Sequence, residues 1–209
     1  TSPSDRALVS YLGSIAALTE GDVDDALLRR AGHLHVSSYF LQQGLRPGCR
    51  DLLRRASRLG LTTSLDPGCD PAGEWGPDLQ ETLREVDVFF PNEVELAGVT
   101  GLTDPEEALR TLENGRTLTV AKLGSRGAML RSGGLVVHRP AFRVDLVDTT
   151  GAGDSFDAGF LHAWLGGRSL QDALALGSAC GAISTRASGG TGGQATLEEA
   201  ESLVRSQAV

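Results

Sequence analysis

The stretch Asp148-Thr149-Thr150-Gly151-Ala152-Gly153-Asp154-Ser155-Phe156-Asp157-Ala158-Gly159-Phe160 carries the residue types best suited to chemistry in this 209-residue chain. Gly151 and Gly153 let a backbone turn tightly and bring its amides close to a ligand. Where such a turn opens a helix, the first N–H groups and the helix dipole favour an anion. Asp154 falls in that first helical turn. A carboxylate repels phosphate, so it does not serve there as an anion binder. It suits a base that takes a proton from an attacking hydroxyl. The amides of Gly151, Ala152 and Gly153 would then hold the charge that develops on a phosphoryl group.

Two other glycine-rich motifs do not fit. A Walker A loop needs Gly-Lys-Ser/Thr, and the only lysine, Lys122, follows Ala121. A dinucleotide fingerprint needs a third glycine or alanine, and the position three after Gly153 is Phe156. Two shorter motifs stand upstream. Asn92-Glu93-Val94-Glu95 follows Pro91 and, by residue types alone, reads as a helix N-cap with an acidic first turn. Lys122-Leu123-Gly124-Ser125-Arg126-Gly127 reads alone as a glycine turn between strands.

From Asp148 to Leu161 the chain resembles the C-terminal signature of the ribokinase-like, or PfkB, family of carbohydrate kinases: Asp-Thr-x-Gly-Ala-Gly-Asp, then small residues in a helix. The two upstream motifs occur in the family's order. The resemblance implies ATP-dependent phosphorylation of a hydroxyl on a sugar or nucleoside-like small molecule, with Asp154 as base and the 151–154 turn as anion hole. It implies that Asn92 and Glu95 organise the phosphates and hydrated Mg2+, Glu95 through water. It implies that Lys122, Gly124, Ser125 and Gly127 line the nucleotide. Ser178 stands near the adenine, where relatives often carry asparagine. The 188–193 segment would help to enclose a monovalent cation such as K+, with Asp148 and Thr150. Ser37, Ser38 and Tyr39 end a strand near where relatives contact the sugar, and Ser38 is the candidate substrate contact.

Family members carry a preceding part with the first βαβ units, a β-strand lid, a sugar-binding Asp and a Gly-Gly motif followed by Asn. None of these stands in this sequence. The chain therefore reads as the C-terminal two-thirds of a kinase. The other reading is a truncated, non-catalytic nucleotide-binding or assembly module of the same fold. Ribose, fructose, a deoxy-keto sugar acid, inosine and adenosine all remain open as acceptors.

The elements that must position these residues follow from period and punctuation. Strand-like runs fall at 6–11, 33–38, 61–66, 87–90, 117–123 and 144–147, with a hairpin at 128–131 and 135–139 around Ser132-Gly133-Gly134. Helical runs fall at 22–31, 47–59, 78–86, 93–99, 105–114, 153–165, 170–187 and 197–206. This alternation predicts a single three-layer, doubly wound α/β domain with a mainly parallel sheet and helices on both faces. Ligands in such folds sit beyond the carboxyl ends of the strands, which makes strand-to-helix junctions the places to look.

Composition narrows the partners. Apolar residues make up 40% and charged residues 22%, normal for a globular protein. Net charge is −8 and basic blocks with interleaved aromatics are lacking, which argues against nucleic acid. An acidic chain can still hold phosphate with local devices such as a helix N-terminus. No stretch is apolar enough for a membrane span. Cys49, Cys69 and Cys180 form no C-x-x-C pair, so zinc and disulfide frameworks are not expected and a cytoplasmic setting is. A homodimer is left open. His33 and His35 share a strand face without a third metal ligand at a telling spacing. His162 is expected to be packed, Asp157 to help its helix N-terminus, and Arg50, Arg54, Arg55 and Arg58 to form a solvated helix face.

Overall fold

The computed structural model of the chain describes residues 11–207. Two compact units divide between Val86 and Asp87. The strand expected at 6–11 lies outside the described residues except for Tyr11, which belongs to no element.

In the first unit, α1 (Ser14–Ala17) and α2 (Asp25–Leu28) come before any strand. The helix expected over 22–31 is instead a 3-10 turn at Glu20–Asp22 followed by α2. Asp24 breaks the run. Its backbone is extended, and its carboxylate accepts the Leu27 amide at 2.7 Å to cap a new helix. β1 (His33–Val36) and β2 (Thr62–Leu65) then run parallel, with His33 opposite Thr62 and Val36 opposite Leu65. Parallel neighbours need a long crossover, and α3 (Arg46–Arg58) lies within it. Its Cys49, Leu52, Leu53 and Ala56 repeat at helical spacing and are buried. Each of the two leucines contributes roughly 1.5–3 kcal/mol of burial.

Arg50, Arg54 and Arg55 of α3 are not simply solvated, while Arg58 is exposed as expected. Arg50 pairs with Glu81 at 3.1 Å, Arg54 with Glu85 at 3.0 Å and Arg55 with Asp25 at 3.2 Å. They face acids from α2, from α4 (Pro77–Leu83) and from the chain just beyond α4, which explains why an arginine stripe lies on this helix. At the start of the same helix, Arg46 donates two hydrogen bonds to Asp78, at 2.6 and 2.8 Å, and the Tyr39 hydroxyl donates a third at 2.7 Å. The Arg46 guanidinium holds the Asp78 carboxyl below its ordinary value of 3.8. Burial pushes the Cys49 thiol up to about 12.

The second unit carries the hairpin read from the sequence. β3 (Val88–Phe89) pairs parallel with β4 (Leu118–Lys122); β4 pairs antiparallel with β5 (Ala128–Ser132), and β5 with β6 (Leu135–Arg139). α5 (Glu93–Thr100) and α6 (Pro105–Thr111) link β3 to β4. α7 (Ala152–Leu165), α8 (Leu170–Ser184) and α9 (Leu197–Ser206) follow the hairpin. Val88, Val120, Leu130, Phe160 and Leu174 belong to one fully buried core, with Phe160 edge-on to Phe90 at 5.4 Å. α7 and α8 approach closely because Gly177 leaves room; a Cβ there would stand 2.9 Å from the Phe156 carbonyl oxygen.

The strand expected at 144–147 does not form. Its apolar residues are turned outward, Leu146 at 66% and Val147 at 61% exposure. The Val147 and Asp148 amides both donate to the Thr185 carbonyl, at 2.8 and 3.0 Å, just past the end of α8. A helix end thus takes the hydrogen bonds that a neighbouring strand would have supplied. α8 stops at Ser184 rather than running on to 187.

Candidate active site

The start of α7 is unlike the other well-capped helix starts of this unit. Asn92, Asp104, Ser169 and Thr196 cap α5, α6, α8 and α9 with their side chains. α7 has Gly151 at its N-cap, with φ 75°, and no side-chain cap. Only glycine adopts that conformation without strain. A Cβ on Gly151 would also lie 2.6 Å from the Gly190 carbonyl oxygen, so the turn rests directly on the 188–193 backbone. Asp148 fixes the approach to the turn. One carboxylate oxygen accepts the Thr150 amide at 2.9 Å and the Thr150 hydroxyl at 2.8 Å, and the other accepts the Gly189 amide at 2.8 Å. Asp148, Thr150 and the glycine-rich segment are therefore brought together. Of the three amides singled out in the sequence, that of Ala152 already closes a turn on the Thr149 carbonyl at 3.2 Å.

The two carboxylates of early α7 have opposite surroundings. Asp154 is exposed and makes no hydrogen bond or ion pair among the described residues. It borders a cleft of about 310 Å3 with Ser155, Ala158, His162, Cys180 and Gln194. Asp157, one turn on, is buried and receives Lys122 Nζ at 3.1 and 3.2 Å. It binds a lysine rather than serving its own helix N-terminus. His162 is exposed rather than packed, because it shares the outer face of α7 with Asp154 and Ala158.

Asn92 and Glu95 form a reciprocal capping box. Asn92 Oδ1 accepts the Glu95 amide at 2.9 Å, and Glu95 Oε2 accepts the Asn92 amide at 2.8 Å. Asn92 Nδ2 adds a bond to Glu95 Oε1 at 2.6 Å. Glu95 is buried. Beside them, Gly124, Ser125 and Arg126 form a 3-10 turn closed by Gly127, and Arg126 reaches Glu93 at 2.8 Å. Lys122 leaves this loop and points under α7. Ser178, midway along α8, is buried, and its hydroxyl has no hydrogen-bond partner among the described residues. The Ser155 hydroxyl shares this condition.

Among the described residues no three His, Cys, Asp or Glu side chains gather to hold a metal. Both ring nitrogens of His33 and Nδ1 of His35 are engaged by the Thr62 and Ser64 hydroxyls at 2.7–2.8 Å. Mg2+ keeps several waters and takes one or two carboxylates plus nucleotide phosphates; Glu95, buried with both oxygens bonded to Asn92, suits it only through a water. In the first unit, Ser38, two residues past β1 and at the cap of the 3-10 turn Tyr39–Leu41, lies in the left-handed region, φ 53° and ψ 46°. A non-glycine residue held there is a conformational outlier of the kind found at functional sites.

Sequence reasoning missed the Lys122–Asp157 pair. The signal was present: Lys122 is the one lysine among 19 basic residues. A position that keeps lysine in a chain otherwise built with arginine has a local reason to do so.

Taken together, alternating strands and helices define an α/β protein in which α7 opens on an uncapped glycine turn with an exposed carboxylate in its first turn. The chain belongs to the pfkB family of carbohydrate kinases, whose model matches residues 1–197. It is 37% identical over 179 residues to the ATP-dependent ribose-1-phosphate kinase of Halopiger xanaduensis, covering 85% of this chain and 56% of that protein. It is 32% identical over 203 residues to the 2-dehydro-3-deoxygluconokinase of Bacillus subtilis, covering 92% and 62%. Among solved structures it is similar to an E. coli protein described as ribokinase II, in complex with ATP and Mg2+. The TM-score is 0.81 and the identity 25%, with 91% of this chain and 64% of that one covered. The ribokinase of Thermotoga maritima matches with TM-score 0.77 and 26% identity over 93% and 64%. The fold is thus the doubly wound α/β fold of these proteins. The chain spans less than two thirds of the length of each relative named here.

Proposed function

We propose that the complete protein transfers the γ-phosphoryl group of ATP to a hydroxyl of a sugar or nucleoside-like small molecule. The uncapped start of α7 with the exposed Asp154 beside it carries this reading. Asp154 takes the proton from the acceptor hydroxyl. The acceptor oxygen bonds to the γ-phosphorus as the bond to the β–γ bridging oxygen breaks, and ADP leaves. The turn formed by Gly151, Ala152 and Gly153 faces the phosphoryl oxygens with the Gly151 and Gly153 N–H groups and the helix dipole, the Ala152 amide being bonded to the Thr149 carbonyl, and catalysis of this transfer is mostly such electrostatic positioning. Asn92 and the loop with Gly124, Ser125 and Gly127 line the nucleotide, and the Ser178 hydroxyl faces its base. Mg2+ would be held by the phosphates, by waters and through one of these waters by Glu95, where it neutralises phosphate charge. Asp148 and Thr150 are the candidate neighbours of a monovalent cation. Ser38 is the candidate acceptor contact in the first unit.

Relatives of similar identity bear names with different acceptors, a sugar phosphate in one and a keto sugar acid in another. The acceptor is therefore to be found by assay. Acceptor-dependent ADP release from the complete protein, measured over pentoses, hexoses, their phosphates, keto sugar acids and nucleosides, is expected for at least one class. Nucleotide binding with no acceptor-dependent turnover across that panel would overturn the catalytic reading.

A further inference from the structure

Lys122 joins two pieces of the site that are far apart in sequence. Its amide donates to the Pro91 carbonyl at 2.9 Å, and its backbone forms a parallel bridge with Asn92, the cap of α5. Its side chain runs the other way, under the start of α7. The ammonium lies 3.1 and 3.2 Å from the two Asp157 oxygens, and a Cβ built on Gly153 would stand 3.6 Å from it. The two side chains are only 12% and 4% exposed.

A buried pair of this kind gives little net stability, because desolvation offsets the attraction and two apolar side chains often do as well. Position is what the pair supplies. Lysine is a compact charge on a flexible stem, whereas arginine is a wide planar fork. The compact charge lies close beneath Gly153, where a wider fork would need more room. We propose that Lys122 and Asp157 are a positioning pair, which sets the height of the 151–154 turn against Asn92 so that the turn meets the transferring phosphoryl group. Neither residue takes a proton or touches the acceptor. The inference rests on the kinase reading above.

The test uses the complete protein and compares wild type, Asp154→Asn, Lys122→Met, Asp157→Asn and the double variant K122M/D157L. Each single change removes one partner of a buried charged pair and is expected to lower the melting temperature. The double variant replaces both partners with apolar side chains of similar size and is expected to melt near wild type. Its kcat is expected to fall at least about ten-fold while the KM for ATP moves less than about three-fold, the signature of an interaction used in the transition state. A double variant with wild-type kcat would overturn the pair's role, and so would a raised KM with unchanged kcat, which would make Lys122 a plain nucleotide ligand. If the double variant does not fold, Lys122→Arg takes its place, and wild-type kcat there also overturns the proposal. The side-chain 15N signal that K122M lacks is expected to shift when ATP and Mg2+ are added to wild type; an unmoved signal counts against placement beneath the phosphates. Absence of acceptor-dependent turnover in wild type removes the kinase reading itself. Active wild type, an inactive Asp154→Asn and a fully active double variant remove only the positioning pair.

Discussion

Two helix starts in the second unit, those of α5 and α7, solve the same problem in opposite ways. Both follow loops that turn sharply into a helix, and both leave the first amides without intrahelical partners. At α5, Asn92 and Glu95 satisfy each other's backbone amides and share a further bond between their side chains. At α7, glycine replaces the cap, and the carboxylate of the first turn faces outward. Glycine in place of a capping side chain costs only about a few tenths of a kcal/mol. The chain meets the usual requirement at α5 and leaves it open at α7, where an anion can meet it instead.

The largest expected effect is at the open end. Asp154→Asn is expected to lower kcat by roughly 10²–10⁴-fold, the usual range for a lost general base. The KM for ATP should barely change, since a base beside the γ-phosphate adds no attraction for it. Steady-state kinetics with the best acceptor checks this, and near-normal turnover would remove Asp154 from the mechanism.

Next comes the turn itself. Gly151→Ala places a side chain at φ 75° and against the Gly190 carbonyl. Strain of this kind costs roughly 1–3 kcal/mol, to be read from urea unfolding midpoints. ATP binding should weaken at the same time, because the turn cannot keep its place on the 188–193 backbone. Unchanged binding in a destabilised variant would mean that the turn does not hold phosphate.

A smaller effect sharpens the contrast. Asn92→Ala removes the α5 cap and is expected to cost about 0.5–2 kcal/mol. If Asn92 also lines the nucleotide, as proposed, the KM for ATP rises as well. A loss of stability with unchanged KM would make α5 a purely structural counterpart of α7.

The smallest effect concerns a carboxylate in the first unit with no part in this chemistry. Arg46 holds the Asp78 carboxyl below its ordinary value of 3.8. A depressed folded-state value means that the stabilisation is present above 3.8 and is lost as pH falls through the folded value. Asp78 is partly exposed, so solvent screens the pair and the contribution is modest. Asp78→Asn should therefore flatten the acid limb of a melting temperature against pH profile. An unchanged limb would show that the Arg46 contact adds nothing in solution.

Much of the architecture was legible because its signals are local. Thr196 and Glu199 announce a capping box, and α9 spans 197–206 as expected. Ser132, Gly133 and Gly134 turn the β5–β6 hairpin where the sequence places it. The start of α7 was legible because two glycines and an early acid are rare together. The remainder depended on partners distant in sequence. The apolar run at 144–147 has strand period, but its hydrogen bonds go to Thr185. The α3 arginines look solvated until acids from α2 and α4 are folded against them. Asp24 reads as one more first-turn acid, yet it restarts a helix. Asp157 and Lys122 lie 35 positions apart, and no periodicity links them.

The shared Thr185 carbonyl has a consequence for how this protein can change length. It gathers the Val147 and Asp148 amides just where α8 ends. One residue inserted into or deleted from α8 would swing Thr185 by about 100° around the helix axis, since 3.6 residues make a turn. The carbonyl would then face away, and the approach to the glycine turn would lose both tethers. The tip of the β5–β6 hairpin, at Gly133 and Gly134, has no such obligation to the turn. Insertions and deletions should therefore be accepted at the hairpin tip and excluded from α8, even though α8 contributes no catalytic side chain.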